Sequence, residues 1–358
     1  MAGEQGGVRS DVSLAGTAVA PGERRQVDIQ IAELSSGFPV RMPVHVINGC
    51  HPGPQLFISA ALHGDEINGV EIIRRFTRLT ALRDLCGTVV AVPIVNTPGF
   101  LYQSRYLPDR RDLNRSFPGS HDGSLAGRIA RCFLDEIVSG SSWGIDLHTG
   151  SHHRSNYPQV RASLDSPEIE AVARAFGVPV VLNAGFRQGS LREAANSLGV
   201  PVVVYEAGEA LRFDEAGIRA GVRGIIGVMQ HLAMLPVRED HAEPAEPLVL
   251  RSSRWVRAPC SGVLRVIEPL GAQVRRNQVL AFISDPWGMT DTEIEAPADG
   301  VIVGRTNLPV VHDGDALFNI ALSTGTQIDA RALDDFSPLE QYETGETADL
   351  ARAERQIV

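Results

Sequence analysis

A histidine and a carboxylate three residues apart, His63 and Glu66 in the run His63-Gly64-Asp65-Glu66, follow directly on the apolar stretch 56–62. Apolar residues resume beyond them at near-helical spacing, at Val70, Ile72, Ile73 and Phe76. The pair therefore falls in a strand-to-helix turn, and in open α/β sheets ligands bind at the carboxyl ends of strands. A nitrogen and an oxygen donor leaving one turn in the same direction suit a zinc ion. Alone, an H-x-x-E pair is commonplace, but two further residues extend it. His148 follows the apolar run 143–147, and Glu206 follows 201–205. Two histidines and one carboxylate leave a fourth zinc position open for water, whose pKa the metal lowers. Such chemistry needs a general base. Glu206 is the candidate, because desolvation at the end of a buried strand raises a carboxylate pKa toward the useful range. Glu209 stands three residues on, and the choice between the two glutamates stays open.

Other side chains are suited to support this set. Asp146 lies two residues before His148, so on a strand both face the same side. Asp146 and Asp112 can hold ligand imidazoles in one tautomer. The polar, Arg-rich stretch 102–123 is too long for a mere connector. It carries Arg105, Asn114 and Arg115, which can bind an anionic substrate and a developing oxyanion, Arg offering a planar fork to a carboxylate. The run Asp112-Leu113-Asn114-Arg115-Ser116-Phe117-Pro118-Gly119 mixes apolar with charged residues, unlike a solvated charge run.

The elements that must position these residues alternate. Strands are expected at 25–32, 39–47, 56–62, 88–95, 143–147, 178–182 and 201–205, and helices at 123–138, 166–176, 190–198 and 214–232. Strands alternating with helices predict an α/β sheet covered on both faces. If the strands before His63, His148 and Glu206 are parallel neighbours, all three residues project from one sheet edge. A charged, Pro-containing linker follows at 236–247. Beyond it Ala258-Pro259-Cys260-Ser261-Gly262-Val263 recurs as Ala296-Pro297-Ala298-Asp299-Gly300-Val301, each copy continuing into a Val/Leu-rich strand (279–283 and 317–321). Two such units suggest a small all-β domain with internal pseudo-symmetry. The expected division is a disordered N-terminus at 1–12, a catalytic domain at 13–240, an accessory β-domain at 248–325 and a tail at 326–358.

Composition narrows the classes. The 358 residues carry a formal net charge of −10, which argues against a nucleic-acid or anionic-membrane surface. All 33 basic residues are Arg, so there is no Schiff-base, Walker or carrier lysine. Cys50, Cys86, Cys132 and Cys260 are scattered, as in a reducing compartment. With no apolar leader or 18-residue apolar run, a cytoplasmic location is expected.

Four motifs in order, HGDE (63–66), DLNRSFPG (112–119), DLHTG (146–150) and YEAGE (205–209), resemble the succinylglutamate desuccinylase/aspartoacylase family, a branch of the zinc carboxypeptidase-like fold. The match spans roughly residues 40–235. The resemblance implies an α/β fold with a mixed sheet flanked by helices. It implies His63, Glu66 and His148 as ligands of one zinc per chain, Glu206 as general base and Arg105 as the oxyanion-stabilising arginine. It further implies Asn114 with Arg115 as clamps on the substrate carboxylate, and Asp112 as partner of His63. The C-terminal repeat is similar to biotinyl/lipoyl-like barrel-sandwich domains, without the attachment lysine; residues 287–292 occupy that hairpin. An accessory domain of this kind makes a homo-oligomer plausible.

The expected activity is zinc-dependent cleavage of the amide bond of a small-molecule N-acyl amino acid. Some bacterial members with this layout deacetylate N-acetyl-diaminobutyrate-type substrates. Arg110-Arg111 departs from the Asp-Gly of many relatives and leaves substrate choice open. The alternatives are a metallocarboxypeptidase acting on short peptides and a non-catalytic ligand-binding protein.

Overall fold

The computed structural model describes residues 10–33, 36–237 and 246–323. The expected tail at 326–358, the linker centre at 238–245 and the first nine residues lie outside the described residues, and Val12 already opens a strand. The architecture is a large mixed sheet flanked by helices, with additional antiparallel β-sheet structure towards the C-terminus.

Four parallel strands form the centre of that sheet. His51–Ala60 pairs with Cys86–Val92 on one side and Trp143–Gly150 on the other, and Trp143–Gly150 pairs with Val202–Glu209. Antiparallel strands extend the sheet: Pro39–Asn48 and Arg24–Glu33 beyond Cys86–Val92, and Arg154–Ala162 beyond Val202–Glu209. The central strands read as continuous apolar runs because both their faces are covered. In His51–Ala60, Leu56, Ile58 and Ala60 join one core while Phe57 joins the other. The helices Asn68–Phe76, Pro167–Ala175 and Glu215–His231 cover the first face through Ile72, Phe76, Val172, Ile218 and Ile225. Leu125–Phe133 and Leu191–Ser197 cover the second through Ile129, Phe133, Leu191 and Ala195.

Several elements differ from their expected extent. The strand at 143–147 runs on to Gly150, and that at 201–205 runs on to Glu209, so His148 and Glu206 sit within strands rather than beyond them. The helix expected over 123–138 is α-helical only as far as Phe133, widening into a π-helical turn at Leu134–Val138. A whole strand, Arg154–Ala162, has no counterpart in the sequence reading. Its polar character and Pro158 hide it, since proline has no N–H for a ladder. Pro158 falls between Asn156 and Gln159, where the partners of the strand change from Gly300–Thr306 to Val180–Asn183.

The two repeat copies open equivalent strands, Gly262–Val266 and Gly300–Thr306, with Ala258 and Ala296 buried ahead of them in a common core with Leu264, Ile302 and Phe318. One C-terminal sheet stands alone, formed by Asp291–Glu295, Val279–Ser284, Gly262–Val266 and Val310–Val311. The other strands do not form a separate sheet. Gly300–Thr306 pairs antiparallel with Arg154–Ala162, and Leu248–Leu250 pairs parallel with Val180–Asn183. Backbone hydrogen bonds thus run unbroken from the C-terminal strands into the sheet that bears His148 and Glu206. No described helix is long and apolar enough to cross a membrane.

The helix after the His63–Glu66 turn lies unusually close to the sheet at Gly69, where a methyl group would come within 2.7 Å of the Ala60 Cβ and 2.8 Å of the Leu147 Cβ. Both neighbours are on central strands and cannot rotate away. Gly69→Ala is expected to lower unfolding stability by about 1–3 kcal/mol, the usual penalty of overpacking. Thermal or denaturant unfolding reads the effect, and an unchanged midpoint would show that the helix can shift outward at no cost.

Candidate metal centre and active site

The register of three of these parallel strands, His51–Ala60, Trp143–Gly150 and Val202–Glu209, builds the site. Ala60 is paired with Leu147, and His148 with Glu206, so the chain leaves the first strand beside His148. His63 and Glu66 occupy the turn that follows, closed by a hydrogen bond from the Glu66 N–H to the His63 carbonyl at 3.1 Å. Asn68, opening the next helix, donates to the Ala207 carbonyl (3.0 Å) and accepts from the Asp214 N–H (3.0 Å). The turn is therefore fastened to the strand of Glu206.

His63, Glu66 and His148 are all buried. Nδ1 of His63 lies 2.7 Å from Glu66 Oε1, and Nδ1 of His148 lies 2.7 Å from Oε2. One potential ligand atom from each residue falls within 4.8 Å of the others. The far ring nitrogens are engaged by aspartates: His63 Nε2 with Asp112 Oδ1 at 3.2 Å, and His148 Nε2 with Asp146 Oδ2 at 2.7 Å. Asp146 in turn accepts from Ser59 Oγ at 2.7 Å, and Asp112 from the Asn114 N–H at 2.8 Å. An aspartate behind an imidazole holds the proton on Nε2 and leaves Nδ1 as a donor pair. The donor set, its burial and its backing fit a divalent cation of the zinc type.

Electrostatics bind the group together. Burial works against the Glu66 charge, but the two imidazoles outweigh it and hold the carboxyl well below its ordinary range. Burial likewise disfavours charge on the imidazoles. Glu66 and Asp112 overcome this at His63, as Asp146 and Glu66 do at His148, so both titrate above the ordinary histidine value. Asp112 is half-buried, which opposes its charge, yet His63 and Arg105 depress its carboxyl. Asp65, between the two ligands of the turn, is pushed upward by burial and then by Glu66. Its Oδ1 has no hydrogen-bond partner among the described residues.

Arg105 reaches this centre, donating to Asp112 Oδ2 at 2.9 Å and to Glu66 Oε1 at 3.2 Å. Asn114 sits in the turn after Asp112 and accepts from the Leu191 N–H at 2.9 Å, while Arg115 is exposed and folds onto the Asn114 carbonyl. The structure thus places Asn114 against the helix Leu191–Ser197 and directs the Arg115 guanidinium to the Asn114 carbonyl rather than to His63, Glu66 or His148.

Glu206 is half-buried, with Asn156 Nδ2 donating to Oε2 and Arg161 Nε lying 3.5 Å from Oε1. Glu209 is occupied elsewhere, accepting from the His153 N–H at 3.0 Å and from Asn307 Nδ2 at 2.8 Å. Three neighbours of Glu206 were not anticipated. Asn156 and Arg161 lie on the unforeseen strand. Arg192 opens the helix Leu191–Ser197, donates to the Gly185 carbonyl at 2.6 Å, and keeps a shielded Nη1 with no hydrogen-bond partner among the described residues. Burial, then repulsion from Arg161, pushes the Arg192 pKa down to about 10, despite attraction from Glu206. No spacing in the sequence signals these three.

Chemically the arrangement offers a buried cation site, a carboxylate one strand away and an excess of guanidinium charge around it. Residues 52–232, half of the chain, match the succinylglutamate desuccinylase/aspartoacylase catalytic domain. The N-alpha-acetyl-L-2,4-diaminobutyric acid deacetylase of Halomonas elongata is 29% identical over 302 residues, which cover 79% of this chain and 86% of that protein. Among solved structures, the product-bound ectoine utilization protein EutE (DoeB) from Ruegeria pomeroyi has a TM-score of 0.75 at 23% identity, over 84% of this chain and 95% of that one. A succinylglutamate desuccinylase/aspartoacylase from Rhodobacter sphaeroides has a TM-score of 0.73 at 25% identity, over 83% and 94% respectively. With half of its length matched by that catalytic domain, the chain belongs to the succinylglutamate desuccinylase/aspartoacylase family.

Proposed function

We propose that this chain is a zinc-dependent amidohydrolase that removes the acyl group from a small N-acyl amino acid. The observation that carries the reading is the inward-facing His63, Glu66 and His148 set, backed by Asp112 and Asp146, with Glu206 in register beside His148. Membership of a family of N-acyl amino acid deacylases supports it, and the Halomonas relative makes an N-acetylated diamino acid the first substrate to try. A cytoplasmic location and an accessory role for residues 248–325 belong to the same proposal.

His63, Glu66 and His148 would hold one zinc ion, which would supply Lewis-acid polarisation of the scissile carbonyl and acidify water. The remaining work falls to the chain. Glu206 takes the proton of the attacking water at its carboxylate and returns it to the leaving amine nitrogen. Arg105 donates N–H groups to the oxygen that gains charge. Asn114 and Arg115 hold the substrate carboxylate, Arg115 turning outward from the Asn114 carbonyl to do so. Asp112 and Asp146 keep the ligand imidazoles in one tautomer. Glu209, committed to His153 and Asn307, is left out of the chemistry.

The excess of cations bears on the substrate. Arg192 is desolvated, repelled by Arg161 and Arg187, and has a guanidinium nitrogen to spare. An anionic group entering beside Glu206 would relieve that repulsion.

Three outcomes test the reading. Because the neighbouring carboxylates raise the proton affinity of both imidazoles, protons compete with zinc for these side chains. Adding zinc to metal-free protein in weak buffer should release protons. His63→Ala and His148→Ala should abolish stoichiometric binding, and affinity should fall as pH is lowered; binding unaffected by either substitution would remove the metal centre. Glu206→Gln should lower kcat by about a hundredfold or more while zinc content stays at the wild-type level, and unchanged turnover would end its role as base. Arg192→Gln should lower kcat/KM for an N-acetyl amino acid by about ten- to a hundredfold and leave the rate on its uncharged carboxamide little changed. Equal losses on both would show that Arg192 serves the fold instead.

A further inference from the structure

The strand Arg154–Ala162 lies between the Glu206 strand and the C-terminal strand Gly300–Thr306. Asn156 is in register with Gly208 on one side and with Gly304 on the other. It is buried, and its Nδ2 donates to Glu206 Oε2. Gly304 comes so close that a Cβ there would stand 2.9 Å from Asn156 Oδ1 and 3.4 Å from the Asn319 Cβ. The same C-terminal segment holds the strand at further points. Gln159 Nε2 donates to the Val303 carbonyl at 2.9 Å, Asn307 Nδ2 donates to Ser155 Oγ at 2.7 Å, and the Asn307 N–H donates to the His153 carbonyl at 2.8 Å. The Arg154 guanidinium lies 5.3 Å above the Trp255 ring.

We propose that Asn156 is the positioning residue of Glu206, and that the C-terminal β-region sets Asn156 through Gly304. The proposal rests on Glu206 acting as the base. A glutamate side chain on a strand has three rotatable bonds, and an ångström of misplacement can cost a hundredfold in rate. A buried amide that donates to one carboxylate oxygen removes that freedom only if the amide is itself fixed. Gly304 stands against its Oδ1 from the far side. The described C-terminal strands thereby act on the chemistry through Asn156.

The test uses the full-length, zinc-loaded protein with N-α-acetyl-L-2,4-diaminobutyrate as probe substrate. Asn156→Ser should lower kcat by about ten- to a hundredfold, with KM, zinc content and melting temperature near wild type. Gly304→Ala should lower kcat in the same manner, because the added methyl group meets the movable end of Asn156 and displaces it. In the Asn156→Ser background Gly304→Ala should have no further effect, since the shortened side chain leaves nothing to displace. In the Glu206→Gln background Asn156→Ser should not reduce the residual rate. Losses that multiply in either double variant would overturn the proposal, as would a change confined to KM or zinc content. Failure of the underlying reading shows separately, as full turnover by Glu206→Gln alone.

Discussion

The site depends on one arrangement, a buried glutamate carboxylate bridging two buried imidazoles. Glu66 has an imidazole nitrogen 2.7 Å from each oxygen and the Thr149 N–H 3.2 Å from Oε2. A carboxylate removed from water is costly unless its charge is matched and its lone pairs are occupied. Here the match comes from side chains on two different strand ends, so the charge can be buried only when those strands are parallel neighbours in the observed register. Electrostatics and sheet topology thus impose the same condition. The close approach of the helix at Gly69 to Ala60 and Leu147 keeps the turn that carries Glu66 against that register.

The aspartates behind the imidazoles extend the condition outward. Asp146 is pinned by Ser59 on the neighbouring strand, while Asp112 is pinned by the backbone of its own turn and by Arg105. One ligand is therefore oriented from inside the sheet and the other from the 102–123 loop. The loop is more than a cover: Leu107, Leu113 and Phe117 are buried in the core beneath it and anchor Asp112 and Arg105. A charged segment held by its own apolar residues can offer guanidinium groups to a site without being free to leave it.

Much of this was legible in the sequence because the central strands are buried on both faces and appear as unbroken apolar runs. His63, Glu66, His148 and Glu206 each follow such a run, and the sheet brings their strand ends together. What escaped notice lies where local pattern and tertiary pairing disagree. Arg154–Ala162 is polar and contains Pro158, yet it is a central strand because the proline falls at a change of partner. With that strand went Asn156 and Arg161, the two groups against Glu206. Arg192 was missed for a different reason, since an arginine opening a helix looks solvated until burial and Arg161 are seen around it. The union of the C-terminal strands with the central sheet is a non-local pairing, which no repeat or linker composition encodes.

The two glutamates of the Tyr205-Glu206-Ala207-Gly208-Glu209 run show how far local sequence can be from deciding a role. Residue type, neighbourhood and charge are the same for both. Their difference arises at Gly208, whose φ of +74° is a left-handed conformation that side chains rarely adopt. The register of the strand shifts between Glu206, paired with His148, and Glu209, paired with Gly150. Before the shift, the carboxylate meets Asn156 and Arg161. After it, the carboxylate turns to the His153 backbone and to Asn307 of the C-terminal region. One glutamate is thereby left beside the cation site, and the other ties the C-terminal strands to the loop after His148. A single backbone irregularity separates a candidate proton acceptor from a structural clamp, which is why the base is assigned to Glu206 from geometry and not from its surroundings in the chain.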